Sequence, residues 1–404
     1  MKNCLVAQSG GPTVAINASL AGVIEAAMKS DKIDRVYGGR NGISGILKED
    51  FWDLTERFQG KEEDLELLKQ TSSMFLGSCR HKLSGQNAAE EIRQIFEIFE
   101  KYDIGYFFYI GGNDSMDTVH RLAAYATEQG SDVKIMGVPK TIDNDLMETD
   151  HTPGFGSAAK YIATTIREVA CDTFIYPVTT VNIVEIMGRN AGWLTAASAL
   201  ARTEDGCAAP HLIYLPEVPF EEECFIQDVK EKIKQHQRVV VAVSEGVKDT
   251  RGEYISAKSD KTDVFGHVQL NGTGKYLETL VAEHVGCKVR SIELSILQRC
   301  AAHLASATDI KEAVGLGATA VEAALAGHTG EMSVIRRLSD EPYETEYGTA
   351  PVELVANYEK KIPRNWITEE GNDVKEELLT YLRPLVQGEV ETKYVNGLPQ
   401  VLWK

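Results

Sequence analysis

Short apolar runs of strand length alternate with longer amphipathic runs of helical period through most of this chain. Residues 4–7 read as a strand and 17–29 as the helix after it. Strands at 106–110, 134–138 and 181–186 are followed by helices over 115–128, 157–171 and 191–201. A further apolar run covers 239–243. Strands that alternate with helices over this length predict an α/β protein with mainly parallel sheets flanked by helices on both faces. In such sheets ligands sit beyond the carboxyl ends of the strands, so the residues just past each strand are the ones to read for chemistry.

At roughly 150 residues per domain, 404 residues suggest two or three domains. No Pro/Gly-rich linker separates them, and no internal repeat or low-complexity stretch occurs. The rhythm holds to about residue 330; residues 331–404 lose it and read as a C-terminal extension packed on the body. Within 1–330 two interleaved lobes are expected, with a boundary near 140–190.

Several classes are excluded early. Lys and Arg number 42 against 60 Asp and Glu, a formal charge of −18 that opposes a general nucleic-acid or anionic-membrane surface. An anionic ligand must then be caught by a local basic pocket. No apolar run reaches membrane-spanning length, and the first residues lack the apolar stretch of a secretory signal. Seven dispersed cysteines with no C-x-x-C suit reduced thiols in a cytoplasmic protein better than disulfides or zinc.

The strand ends are chemically rich. After the first strand come Gly10 and Gly11, with Asn17 opening a helix. Paired glycines let a backbone approach a ligand closely, and a helix N-terminus favours an anion. After the strand at 106–110 come Gly111, Gly112, Asn113, Asp114 and Ser115, with Ser115 a candidate N-cap. Each glycine turn alone is as well explained by structure; two of them at two strand ends could bracket one phosphate chain. After 134–138 comes Pro139-Lys140-Thr141-Ile142-Asp143-Asn144-Asp145. A lysine there can neutralise charge on a transferring group, and two carboxylates can divide metal holding from proton acceptance. The strand at 181–186, which contains Glu185, ends in Met187-Gly188-Arg189-Asn190, and the run at 239–243 ends in Ser244-Glu245-Gly246. Arg189, Arg290 and Arg299 offer planar forks for a phosphate, and Glu245 an acceptor for a sugar hydroxyl. No G-x-G-x-x-G follows any strand, which removes a dinucleotide-dependent oxidoreductase.

In this order, Gly10-Gly11, Gly111-Gly112-Asn113-Asp114-Ser115, the T-I-D-N-D run, Met187-Gly188-Arg189 and Gln298-Arg299 resemble the 6-phosphofructokinases over roughly residues 1–330. The resemblance implies two similar α/β domains with the active site in the cleft between them. It also implies homodimers or homotetramers with shared sugar-phosphate sites. Lys140, where ATP-using members have glycine, and Asp114 in the second loop resemble the pyrophosphate-dependent branch. A carboxylate at Asp114 would repel the α-phosphate of ATP. The implied reaction is reversible phosphoryl transfer from pyrophosphate to fructose 6-phosphate with Mg²⁺, in glycolysis or gluconeogenesis. Asp143 would be the base, and Lys140, Asp114 and Arg189 would complete the catalytic set. Gly11, Arg80 and Lys140 would hold the phosphates, with Thr141 and Ile142 beside them. Met187, Gly188, Arg189 and Glu245 would hold the sugar, and Arg299 and Arg290 the 6-phosphate, the latter from a neighbouring subunit. Ile296 stands where ATP-using members place a histidine, and Thr180 where they place an arginine. Metal contacts are implied at Asn113, where an aspartate is usual, and at Asp145. An ATP-dependent enzyme and a catalytically silent sugar-phosphate sensor are the alternatives.

Overall fold

The computed structural model describes residues 1–403 apart from 176, 204–205 and 263–267, with backbone alone at 257–262 and 268–271. The first lobe contains β1 (Lys2–Gln8), α1 (Ile16–Lys29), β2 (Ile33–Gly39), β3 (Phe51–Asp53), β4 (Ile104–Gly111), α2 (Asn113–Gln129) and β5 (Lys134–Pro139). Phe107 and Tyr109 enter one core, with Ile95, Phe99 and Val119. Phe108 and Ile110 enter the opposite core, with Leu20 and Val321. This two-residue alternation, apolar on both faces, is what a central parallel strand requires.

The second lobe begins with α3 (Phe155–Phe174) and builds a parallel sheet from β6 (Thr180–Ile186), β7 (Leu212–Tyr214), β8 (Arg238–Ser244) and β9 (Lys288–Glu293), in the order β9–β6–β8–β7. The helix expected over 191–201 is two short pieces, an α-turn at Trp193–Ala197 and a 3₁₀ turn at Ser198–Ala201. The Ser198 hydroxyl donates back to the carbonyl of Thr195 at 2.5 Å, a bond that favours the tighter turn.

The chain then returns to the first lobe through α4 (Ala307–Leu325). A Cβ at Gly22 of α1 would lie 2.1 Å from the Val314 carbonyl oxygen, and one at Gly317 2.2 Å from that of Ser19. Glycine on both helices therefore permits their close crossing.

Residues after 330 do more than pack on the body. β10 (Glu331–Asp340) pairs in parallel with β5, and β11 (Tyr343–Pro351) pairs antiparallel with β10. They extend the first sheet to β11–β10–β5–β4–β1–β2–β3. The expected extension thus begins with two members of the first lobe's sheet, whose partners lie too far away in sequence to give a local rhythm. Further on, α5 (Glu376–Leu382) places Leu378, Tyr381 and Leu382 in the core of the second lobe.

Candidate active site

The loops after β1, β4 and β5 meet at one edge of the first lobe, where strand order reverses between β1 and β4, a usual place for a ligand in such sheets. Gly10 has φ +77°, a conformation glycine adopts without strain. The Lys140 ammonium donates to the Gly11 carbonyl at 2.7 Å, and the Lys140 N–H donates to Gly111 O at 2.9 Å. One lysine thereby ties both glycine loops together. Burial pulls its pKa down to about 8, against the pull of Asp143 and Asp145, with Arg299 and Arg80 adding to the depression. Arg299 reaches over from the second lobe to within 3.3 Å of where a Gly11 side chain would begin. Its own pKa is lowered by burial and by Arg80. Three cations thus converge on the first glycine loop: the local basic pocket that an acidic chain needs.

α2 begins at Asn113 with Gly112 as its cap, and no side chain caps it. Ser115, expected as the N-cap, lies one turn inside and is 2.5 Å from the Ser9 hydroxyl. The uncapped first turn leaves N–H groups suited to an anion. Asp114 stands at the rim in an ion pair with Lys82 at 2.9 Å.

The base loop turns at Asn144, φ +54°, whose amide donates to the Tyr381 hydroxyl at 2.9 Å. The Thr141 hydroxyl accepts from the Asp143 N–H at 3.1 Å, while the Ile142 side chain enters the second lobe's core. Burial raises the Asp143 pKa, although Lys140, Arg189 and Arg299 oppose the rise. Burial, then the charge of Asp143, push Asp145 up to about 7, and its Oδ1 is buried with no hydrogen-bond partner. Carboxylates with raised pKa values are stronger bases than ordinary ones, and when ionised they are suited to accept a proton or meet a cation.

From the second lobe, Gly188 has φ +136°, and the Ser244 hydroxyl donates to its carbonyl at 2.5 Å. Glu245 accepts from the Gly188 N–H at 3.4 Å, and burial with Asp143 raises its pKa to about 7. The fully buried Gln298 accepts from the Met187 N–H at 3.2 Å, fixing the Met187–Arg189 loop against the Arg299 turn. Arg189 Nε is buried without a protein partner. Glu185, by contrast, accepts from the Gly274 N–H at 2.6 Å and so serves the lobe's own structure.

Arg290, expected to serve a neighbouring subunit, lies outside its own cleft and lines a cavity of about 600 Å³ with Glu168, Asp172 and Glu278. Ile296 is 57% exposed. Asn113 lies at the start of α2 with both ends of its amide engaged by backbone: Oδ1 accepts from the Asn357 N–H at 2.5 Å, and Nδ2 donates to the Tyr358 carbonyl. The amide thus has a structural task at the position where a metal contact is expected. Among the described residues, no group of three or more His, Cys, Asp and Glu is arranged to hold a metal on its own.

Two residues at the site escaped sequence reasoning. Glu359 raises the pKa of both Asp143 and Asp145 and accepts from the Asn190 amide at 2.9 Å. Lys360 donates its backbone N–H to Asp145 O at 2.7 Å and its ammonium to Asp150 O at 2.6 Å. In sequence, Glu359-Lys360-Lys361 reads as an ordinary solvated charge run, with no signal to separate it from others.

A family model described as phosphofructokinase matches residues 3–324. A pyrophosphate–fructose 6-phosphate 1-phosphotransferase from Halomonas elongata is 42% identical, over 99% of this chain and 95% of its own length. One of the same name from Methylococcus capsulatus is 42% identical over 98% and 94%. The crystal structure of a pyrophosphate-dependent phosphofructokinase from Marinobacter aquaeolei superposes with a TM-score of 0.88 at 40% identity, covering 99% of this chain and 95% of that one. With its glycine loops, base loop and Met187–Arg189 loop facing one cleft, this chain belongs to the phosphofructokinase family.

Proposed function

We propose that this protein transfers a phosphoryl group reversibly between pyrophosphate and the 1-hydroxyl of fructose 6-phosphate, giving fructose 1,6-bisphosphate and phosphate. The observation that carries this is the buried Lys140 ammonium on the Gly11 carbonyl, with the Asp114 carboxylate at the rim of the same cradle. The lysine supplies the charge a small diphosphate needs, and the carboxylate disfavours a longer nucleotide.

The two lobes divide the work. Gly11, Arg80, Lys140 and the first turn of α2 cradle the donor, while Met187, Gly188, Arg189 and Glu245 orient the sugar. Asp143 takes the hydroxyl proton as the sugar oxygen forms its bond to the near phosphorus and the bridging P–O bond breaks. Lys140, Arg189 and Arg299 balance the charge that the transferring and leaving groups carry. Because such a transition state is loose, positioning and electrostatics supply most of the rate. Asp145, whose buried Oδ1 has no protein partner, would hold Mg²⁺, which when bound would neutralise phosphate oxygens.

The proposal extends to a homodimer or homotetramer: Arg290 lies outside its own cleft, where a neighbouring subunit could use it. It also extends to a cytoplasmic setting, in keeping with seven free cysteines. A panel of pyrophosphate, ATP and polyphosphate, each with fructose 6-phosphate and Mg²⁺, tests donor and acceptor together. Turnover with pyrophosphate well above that with ATP is expected; equal turnover would defeat the donor assignment.

A further inference from the structure

Four consecutive residues of the C-terminal region touch three loops of the cleft. Asn357 and Tyr358 take the two ends of the Asn113 amide at the start of α2, on the donor side. Asn357 Nδ2 also donates to Asp117 at 3.4 Å, one turn further along the same face. Glu359 accepts from Asn190, next to the acceptor-binding Arg189. Lys360 donates its N–H to Asp145 O in the base loop, and its ammonium reaches the carbonyls of Thr149 and Asp150. The Lys360 carbonyl in turn accepts from the Trp193 indole at 2.9 Å.

We propose that residues 357–360 form a positioning strap that sets the donor loop against the base and acceptor loops, and that Asn113 is its anchor. The side chains of Asn357, Tyr358 and Glu359 are exposed, so apolar burial does not hold this run in place. Polar contacts hold it, and they join elements from both lobes. The φ of +66° at Asn357 bends the chain so that its N–H and the next carbonyl both face Asn113. An amide can accept from one and donate to the other. A carboxylate at 113 would accept from Asn357 but repel the carbonyl of Tyr358, which gives a physical reason for asparagine here. Phosphoryl transfer depends on the alignment of donor, acceptor and base, and a 1 Å misplacement from a remote change can cost about 100-fold in rate.

The kinetic arm of the test rests on the proposed phosphoryl transfer; the exchange arm does not. Asn113→Asp should lower kcat with pyrophosphate and fructose 6-phosphate about 10- to 100-fold. Both KM values, the Mg²⁺ half-saturation and the melting temperature should stay close to wild type. Tighter Mg²⁺ half-saturation with kcat retained would place position 113 on the metal and overturn the strap. Glu359→Ala should lower kcat in the same way, while Glu359→Gln, which still accepts from Asn190, should restore most of it. Independently of activity, amide hydrogen exchange at Asn357 should speed up at least about 10-fold in Asn113→Ala. Unchanged exchange there would overturn the anchor even if the enzyme proved to use another donor. If wild type turned over no pyrophosphate while Asn357 exchange rose as expected, the strap would stand and the donor assignment would fall.

Discussion

The Lys140 ammonium donates to the carbonyl of Gly11 at 2.7 Å and so joins the carboxyl ends of β5 and β1 at the donor cradle. Its pKa is pulled down to about 8 by burial. A cation with a depressed pKa is charged below that value and neutral above it. The kcat/KM for pyrophosphate should therefore fall as pH rises through about 8. Lys140→Met should abolish that limb and lower kcat/KM about 10²- to 10³-fold, as expected for losing a preorganised charge. Initial-rate pH profiles of the two proteins decide it.

Donor choice should follow the charges at the cradle. Replacing Lys140 and Asp114 together by glycine removes the cation that favours pyrophosphate and the carboxylate that repels a nucleotide. The ratio of kcat/KM for ATP to that for pyrophosphate should rise. An unchanged ratio would mean that neither residue selects the donor.

Asp143 sits among Lys140, Arg189 and Arg299, yet burial keeps its pKa raised. Asp143→Ala should lower kcat by about 10²- to 10⁴-fold, the usual contribution of a general base. Pyrophosphate binding, followed by calorimetry, should persist because the cradle is untouched. Full activity in this variant would remove Asp143 from the proton-transfer role.

Gly246 has no room for a side chain: a Cβ there would lie 1.9 Å from the Arg189 carbonyl oxygen. Gly246→Ala should push the Met187–Arg189 loop out of place, at a cost of about 1–3 kcal/mol in stability. The KM for fructose 6-phosphate should rise while that for pyrophosphate changes little. Equal changes in both would point to general unfolding, which a melting curve would reveal.

His151 is 2% exposed and lies 2.7 Å from Asp150 and 2.6 Å from Glu312. Burial opposes its charge, but the two carboxylates outweigh burial and raise its pKa to about 9 from 6.5. A histidine with a raised folded-state pKa contributes stability that is fully present below 6.5 and is lost as pH rises through about 9. The contribution is on the order of a few kcal/mol. Between urea midpoints measured on either side of that window, the drop should be larger for wild type than for His151→Gln.

Much of the cleft was legible because it obeys local rules. Strands show as apolar runs, and the residues after them carry the chemistry: the glycine pairs Gly10-Gly11 and Gly111-Gly112 are ambiguous one by one, but with Lys140 and Asp143 they face the same cleft. Asn113 was harder. Its place in the resemblance implied a metal contact although its type departs from the usual aspartate, and only the approach of Asn357 and Tyr358 from a distant part of the chain gives its amide another task. Arg290 and Arg299 are both implied at a 6-phosphate, the former for a neighbouring subunit, and it takes the structure to put Arg299 beside Gly11 and Arg290 on a separate cavity.

The sequence by itself determined the α/β layering and the chemistry at each strand end. Burial periodicity and the conformational freedom of glycine act over a few residues and can be read there. Only the tertiary structure decided that residues 331–351 complete the first sheet and that residues 357–360 cross the cleft. Those outcomes rest on strand pairing and hydrogen bonds between groups hundreds of residues apart, to which no local pattern of polar or apolar residues points.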